Sequence, residues 1–258
     1  MSTAKRLWPL AGASFTLDRG LIVLGQSGPI ALPIPAFLIE HDDGLVLLDT
    51  GIAPEAWDDP KGTYGPLLDM FALDCPPENT LEQQIANCGF RLEDVTHVVV
   101  SHSHFDHTGG LYLFPQAKMY MSEEDLRYAF WPDPAYSLFF RSEDLDRTRS
   151  FDWHPLSADH DLFGDGSIQI LRMPGHTHGE LSMLVSLPSQ KFLLTADAVH
   201  LRCNMDQYLP CPVDLDATTA LRSVRRIKEL AHSTGADIWV MHDPEDWERL
   251  GKNTDGFA

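Results

Sequence analysis

A valine-rich run, Val95-Thr96-His97-Val98-Val99-Val100, feeds directly into Ser101-His102-Ser103-His104-Phe105-Asp106-His107-Thr108-Gly109-Gly110. The run reads as a buried strand, so the residues after it occupy the loop at the strand's end. Imidazoles and a carboxylate crowded beside a buried strand are expensive to desolvate unless something offsets their loss of water. Divalent cations do so. His102 and His104 can serve one ion while Asp106 and His107 serve a neighbour, and this donor chemistry favours zinc or a similar borderline metal. Each ion needs three or more protein ligands plus water, and the segment supplies two.

The missing donors are sought where other predicted strands end. His176 lies in Pro174-Gly175-His176-Thr177, Asp197 follows the run Phe192-Leu193-Leu194, and His242 follows Ile238-Trp239-Val240-Met241. His41, His97, His154, His160 and His232 read as surface or locally satisfied residues. Phe37 to Ile39 and Leu45 to Leu48, joined through Asp42-Asp43-Gly44, read as a hairpin that closes at Asp49-Thr50-Gly51. Its last strand resembles Phe192 to Asp197, since each ends in an aspartate, a weak sign of two related β halves. Asp49 itself reads either as a hydrogen-bonding support for the donors or as a plain turn residue.

Leu81 to Cys88 reads as a helix, as does Asp216 to His232, where Leu221, Val224, Ile227 and Leu230 recur at helical spacing before Gly235. Ser122-Glu123-Glu124-Asp125 opens another after a strand at Lys118 to Met121. Residues 52–79 read as an irregular excursion, and residues 128–156, aromatic but broken by Pro132 and Pro134, as an inserted lid. Strands and helices in this order predict an α/β fold, an αββα sandwich, as one domain over residues 1–258.

The formal charge of −19 and pI near 4.8 repel polyanions, which argues against nucleic acid as a partner. Apolar runs are too short to cross a bilayer, so no membrane partner is expected. Pro9 interrupts the short apolar stretch that loosely imitates a secretory signal, and that stretch is read as a first strand instead. Cys75, Cys88, Cys203 and Cys211 lack C-x-x-C spacing and are expected as reduced thiols, which places the chain in the cytoplasm.

The segment His102 to His107 resembles the H-x-H-x-D-H signature of the metallo-β-lactamase superfamily, followed by the Gly-Gly its members often carry. Asp49-Thr50-Gly51, Gly175-His176, Asp197 and His242 stand in the family's order, so the match runs through nearly the whole chain. This resemblance implies the metallo-β-lactamase fold and two divalent metal ions, most simply Zn2+. By it, His102, His104 and His176 hold the first ion, Asp106, His107 and His242 the second, and Asp197 bridges them.

Within the superfamily the chain is similar to the N-acyl homoserine lactone lactonases through Pro33 to Ile39, Leu48-Asp49-Thr50-Gly51, His104-Phe105-Asp106-His107 and the aromatic insertion. That similarity implies hydrolysis of a small-molecule lactone by a hydroxide held between the ions, with Asp106 relaying a proton to the leaving oxygen. Phe105 and the lid would then line an apolar channel for an acyl chain, or serve packing alone. Many relatives dimerise, and the same analogy admits a homodimer.

Two departures stand out. His200 occupies the place where relatives carry a substrate-binding tyrosine, three residues after the bridging aspartate. Either His200 substitutes for it as a hydrogen-bond donor or Tyr208 does, and packing is the competing role for His200. Gly175-His176-Thr177-His178-Gly179-Glu180 replaces the common G-H-T-P-G-H, so His178 and Glu180 are expected to make the loop more polar and to shift substrate preference. Other readings keep the ligands but change the chemistry: a pyridoxolactone-like ring, a thioester as in glyoxalase II, or a metal-bearing redox or binding module related to flavodiiron proteins. The last usually carries a carboxylate where His104 stands, and too little chain follows His242 for the glutathione-binding region of glyoxalase II.

Overall fold

The computed structural model describes residues 3–134 and 137–258. Six strands form a first sheet in the order Ala4–Leu10, Ala36–His41, Gly44–Leu48, His97–Val99, Lys118–Ser122, Asp152–Leu156. Five form a second: His160–Asp161, Ile168–Arg172, Leu181–Ser186, Lys191–Leu194, Asp237–Trp239. Alternation along each strand decides what the faces meet. Phe37, Ile39, Val46 and Leu48 point between the sheets against Ile170, Met183, Phe192 and Trp239, while Leu38, Leu47 and Val98 point outward to Ile85 and Phe114. On the far side, Leu171, Leu184 and Leu193 pack under Val224 and Ile227 of the helix Ala217–Thr234. The layers are therefore α, β, β, α, as the order of predicted elements requires.

The long helix is delimited by its own sequence. Asp216 caps it by accepting the Thr218 and Thr219 N–H groups at 3.0 Å, and Gly235 ends it at φ 72°, a conformation glycine adopts freely. Trp239 sits at the heart of the sandwich, fully buried, with its ring edge-on to Phe37 at 4.9 Å. Trp239→Ala should destabilise the protein by about 3–5 kcal/mol in denaturant titration, as the sheets cannot close over a void that large.

Parallel pairing gathers the strand ends. Gly44–Leu48 and His97–Val99 run parallel in the first sheet, and Lys191–Leu194 and Asp237–Trp239 run parallel in the second. Their C-terminal ends consequently open on one edge of the sandwich, where loops are free to carry function. The turns there are strained in a shared way: Asp49 and Ala196 both adopt positive φ, 61° and 45°, one and two residues past the ends of their strands. Gly109 packs so closely on Ile52 and Ala53 that a Cβ would strike their backbone, which seats the histidine loop against the Asp49 turn.

Two expectations need correction. The lid does not extend to residue 156, because Asp152–Leu156 is the outermost strand of the first sheet, paired in register with Lys118–Ser122. Pro155 disguised it. Proline is tolerated there since the edge strand needs no second ladder. Of the aromatics assigned to the lid, Trp131 is 89% exposed and Trp153 packs on the outer face of the sheet, while Tyr136 lies outside the described residues. Nor are residues 52–79 wholly irregular: Phe71–Asp74 joins Ser14–Asp18 and Pro29–Pro33 in a three-stranded sheet. No helix among the described residues is long and apolar enough to cross a membrane.

Candidate metal centre

The predicted ligands converge. His102, His104 and His176 place ring nitrogens within 4.8 Å of one another, and so do the donor atoms of Asp106, His107 and His242. Asp197 stands between the two groups. Its Oδ2 lies 3.9 Å from His102 Nε2 and 3.5 Å from His176 Nε2, and its Oδ1 lies 3.4 Å from His107 Nε2 and 2.9 Å from His242 Nε2. His104 Nδ1 approaches His176 Nε2 to 3.1 Å. Its two oxygens thus face nitrogens of both groups.

The donors fit a pair of divalent cations. His102 Nε2, His107 Nε2 and Asp197 Oδ1 are buried without a hydrogen-bond partner, and all face the common space. Orphaned polar atoms of this kind are rare in folded proteins, and nitrogen and oxygen donors in such numbers suit zinc-like ions. Protonation agrees for one group: burial and crowding by neighbouring rings hold His102 and His104 well below the ordinary imidazole range, so both remain free to ligate. His107 differs. Burial would lower it, but Asp106, Asp197 and Asp49 outweigh burial and raise it to about 10, so a cation there displaces a proton.

A second layer aims the rings. Asp49 accepts from His107 Nδ1 at 2.8 Å and from the Ser101 N–H and hydroxyl at 2.7 and 2.8 Å, so its supporting role prevails over that of a turn residue. The Pro33 carbonyl accepts from His242 Nδ1 at 2.6 Å, and Asp214 lies 3.3 Å from His176 Nδ1. Glu180 was expected to colour the substrate loop. Instead it is fully buried behind the cage, 3.3 Å from His102 Nδ1, and only His178 of that pair is exposed, against Tyr128. Burial, with Asp197, Asp125 and Asp49 close by, pushes the Glu180 carboxyl well above the ordinary range; cations beside it reverse that balance.

An open cavity, mostly apolar in its walls, lies over the donors. His104, Asp106, His176, Asp197, His200 and His242 form its floor, and Phe105 and Phe139 contribute to its sides. Most of the wall comes from Phe15, Leu17, Leu21, Ile22 and Leu32, with Met70 and Phe71, all from segments to which the sequence reading gave no site role. The alternation of Phe15 with Leu17 and of Phe71 with Leu73 was the available signal, carried by strands too short to stand out. Phe105 is locked among Phe15, Tyr64 and Phe71 at centroid distances of 5.5, 4.9 and 5.8 Å.

The two candidates for the missing tyrosine part company. His200 is buried on the cavity floor with Nε2 3.1 Å from Asp197 Oδ2. Tyr208 is 41% exposed, ends a helix at φ 53° and lies beneath Lys228, whose ammonium is 4.5 Å from its ring. It does not line the cavity, because the left-handed turn directs it toward the outer helix.

An αββα sandwich whose strand ends converge on a cage of histidines and aspartates defines a metal-dependent hydrolase. The chain belongs to the metallo-beta-lactamase superfamily, whose family model matches residues 30–234. Among its relatives, the N-acyl homoserine lactonase AttM of Azorhizobium caulinodans is 33% identical, with 88% of each chain covered. The AttM lactonase of Agrobacterium fabrum is 32% identical over 91% of this chain and 90% of its own. The fold is shared with an N-acyl homoserine lactone hydrolase solved with N-hexanoyl-L-homoserine at its catalytic metal centre (TM-score 0.87, 22% identity, covering 99% and 100% of the two chains). It is also shared with AidC, a dizinc quorum-quenching lactonase (TM-score 0.73, 18% identity, 94% and 91% covered).

Proposed function

We propose that this protein opens the ring of N-acyl homoserine lactones, with two Zn2+ held by His102, His104, His176, Asp106, His107, His242 and the shared Asp197. The observation that carries the reading is the juxtaposition of that cage with an apolar wall: a polar floor fitted to an ester meets Phe15, Leu17, Ile22 and Phe71, fitted to an acyl chain. The two AttM relatives described above bear the same activity in their names. A bound pair of divalent cations supplies Lewis acidity toward an ester carbonyl and toward water at neutral pH.

The chain's own residues do the rest. Apolar walls exclude bulk water and hold the acyl chain, which leaves the lactone ring over the floor. Asp106, whose Oδ2 lies 3.6 Å from His107 Nε2 and 3.9 Å from His242 Nε2, borders the cavity and is placed to pass a proton to the departing ring oxygen. His200 borders the floor in place of a phenol, and its Nε2–H, 3.1 Å from Asp197 Oδ2, turns to the ester carbonyl once cations claim that oxygen. His200→Phe should therefore retain both ions yet lose about 100-fold in kcat, the scale of removing one donor from a developing oxyanion; unchanged kcat would return His200 to packing. The four free cysteines support a cytoplasmic setting.

The deciding experiment measures metal content and then follows acid release in a pH-stat from a panel of N-acyl homoserine lactones, other lactones, thioesters and β-lactams. Two ions per chain with preferential opening of acylated homoserine lactones is the expected result. Thioester turnover without lactone opening would overturn the substrate assignment.

A further inference from the structure

The cage distributes charge unevenly. His102, His104 and His176 are neutral donors and share Asp197, whereas the other half has Asp106 of its own. A divalent cation in the first half needs negative charge from a second layer, and a buried carboxylate stands there. Glu180 directs Oε2 to His102 Nδ1 at 3.3 Å, while Oε1 accepts the Asp197 backbone N–H at 3.1 Å. Among the described residues no Lys or Arg forms an ion pair with Glu180, so its compensating charge has to come from the cage.

We propose that Glu180 is a positioning residue that makes the His102–His104–His176 half a tight divalent-cation site, by holding negative charge beside the His102 ring and anchoring the Asp197 main chain. His102 Nδ1 meets the Ser101 hydroxyl at 3.1 Å, with the Glu180 carboxylate 3.3 Å from the same nitrogen, so the ring proton is held on Nδ1 and an unprotonated Nε2 faces the ion. Accepting the Asp197 N–H anchors the bridging residue just after the strained Ala196 turn. One carboxylate oxygen accepts the Asp197 N–H and the other lies beside the His102 ring nitrogen, so both need negative charge. A glutamine of identical shape cannot supply this. It carries no charge, and whichever way its amide is turned its NH2 faces either the Asp197 N–H or the His102 Nδ1–H.

The inference rests on the two-cation reading above but not on the substrate, since its readout is ion affinity. The full-length protein and its E180Q variant are stripped of metal and titrated with Zn2+ against a chromogenic chelator, then with Co2+ followed by visible absorption. One of the two equivalents should weaken by about 10–100-fold in E180Q, the range found when outer partners of metal ligands are removed, while the other changes little. Two unchanged affinities would overturn the assignment. So would equal weakening of both equivalents together with a lowered melting temperature of metal-free E180Q, which would make Glu180 a fold-stabilising residue and nothing more. A chain that binds both ions, shows the selective E180Q effect and opens no lactone would refute the function above and leave this inference standing.

Discussion

Asp197→Asn should leave a folded protein whose lactone turnover falls by about 1,000-fold or more. The carboxylate is the donor common to both halves of the cage, with Oδ2 toward His102 and His176 and Oδ1 toward His107 and His242. An amide of the same shape keeps the packing but offers one weak oxygen donor where two charged ones stood. About 4 kcal/mol of lost transition-state stabilisation corresponds to that factor in rate. Melting curves give an independent reading. Zinc at a thousand times its dissociation constant stabilises a one-site protein by about 4 kcal/mol, which at this length is roughly 8–16 °C. The native chain should gain a shift of that order, and the variant less than half of it. A variant that keeps two ions and more than a tenth of native turnover would show that Asp197 is not the shared ligand.

Asp197 stands out in the sequence for the same reason its replacement should be so damaging. Ligation restricts residue type, and a carboxylate or imidazole at the end of a buried strand has few other reasons to be there. The layered fold was legible through periodicity: Phe37 and Ile39 alternate with Leu38, and Val224 and Ile227 repeat at helical spacing. What the sequence concealed were residues whose type is ambiguous. Glu180 looks like any acidic loop residue until the fold buries it behind His102. The cavity wall was hidden differently, because Phe15, Leu17 and Phe71 lie far apart in the chain and become one surface only when the small sheet forms. Pro155 misdirected the reading of Asp152–Leu156, since proline argues against a strand except at an edge, and edge position is a property of the sheet.

Asp125→Ala should cost about 3–5 kcal/mol in stability and, with it, the first metal position. Asp125 is fully buried and takes part in no chemistry on the cavity floor, yet its carboxylate ties together two loops that must converge. Oδ2 accepts the Ser103 N–H at 3.1 Å and the Thr177 hydroxyl at 3.0 Å, and Oδ1 accepts the Gly179 N–H at 3.0 Å. Ser103 lies between His102 and His104, and Thr177 follows His176, so this one side chain sets the spacing of three ligands. Alanine leaves two buried backbone N–H groups and a hydroxyl without acceptors, at about 1–3 kcal/mol each when nothing replaces them, partly recovered if water enters. Asparagine retains one good acceptor and should fall between, near 2 kcal/mol. Urea denaturation of the metal-free proteins separates this from any effect of ion loss, and metal analysis of the folded alanine variant should find the first equivalent depleted. Should Asp125→Ala unfold at the native urea midpoint and hold two ions, the histidine loop must be positioned by its strand alone, and the clamp between the two loops would be an incidental contact.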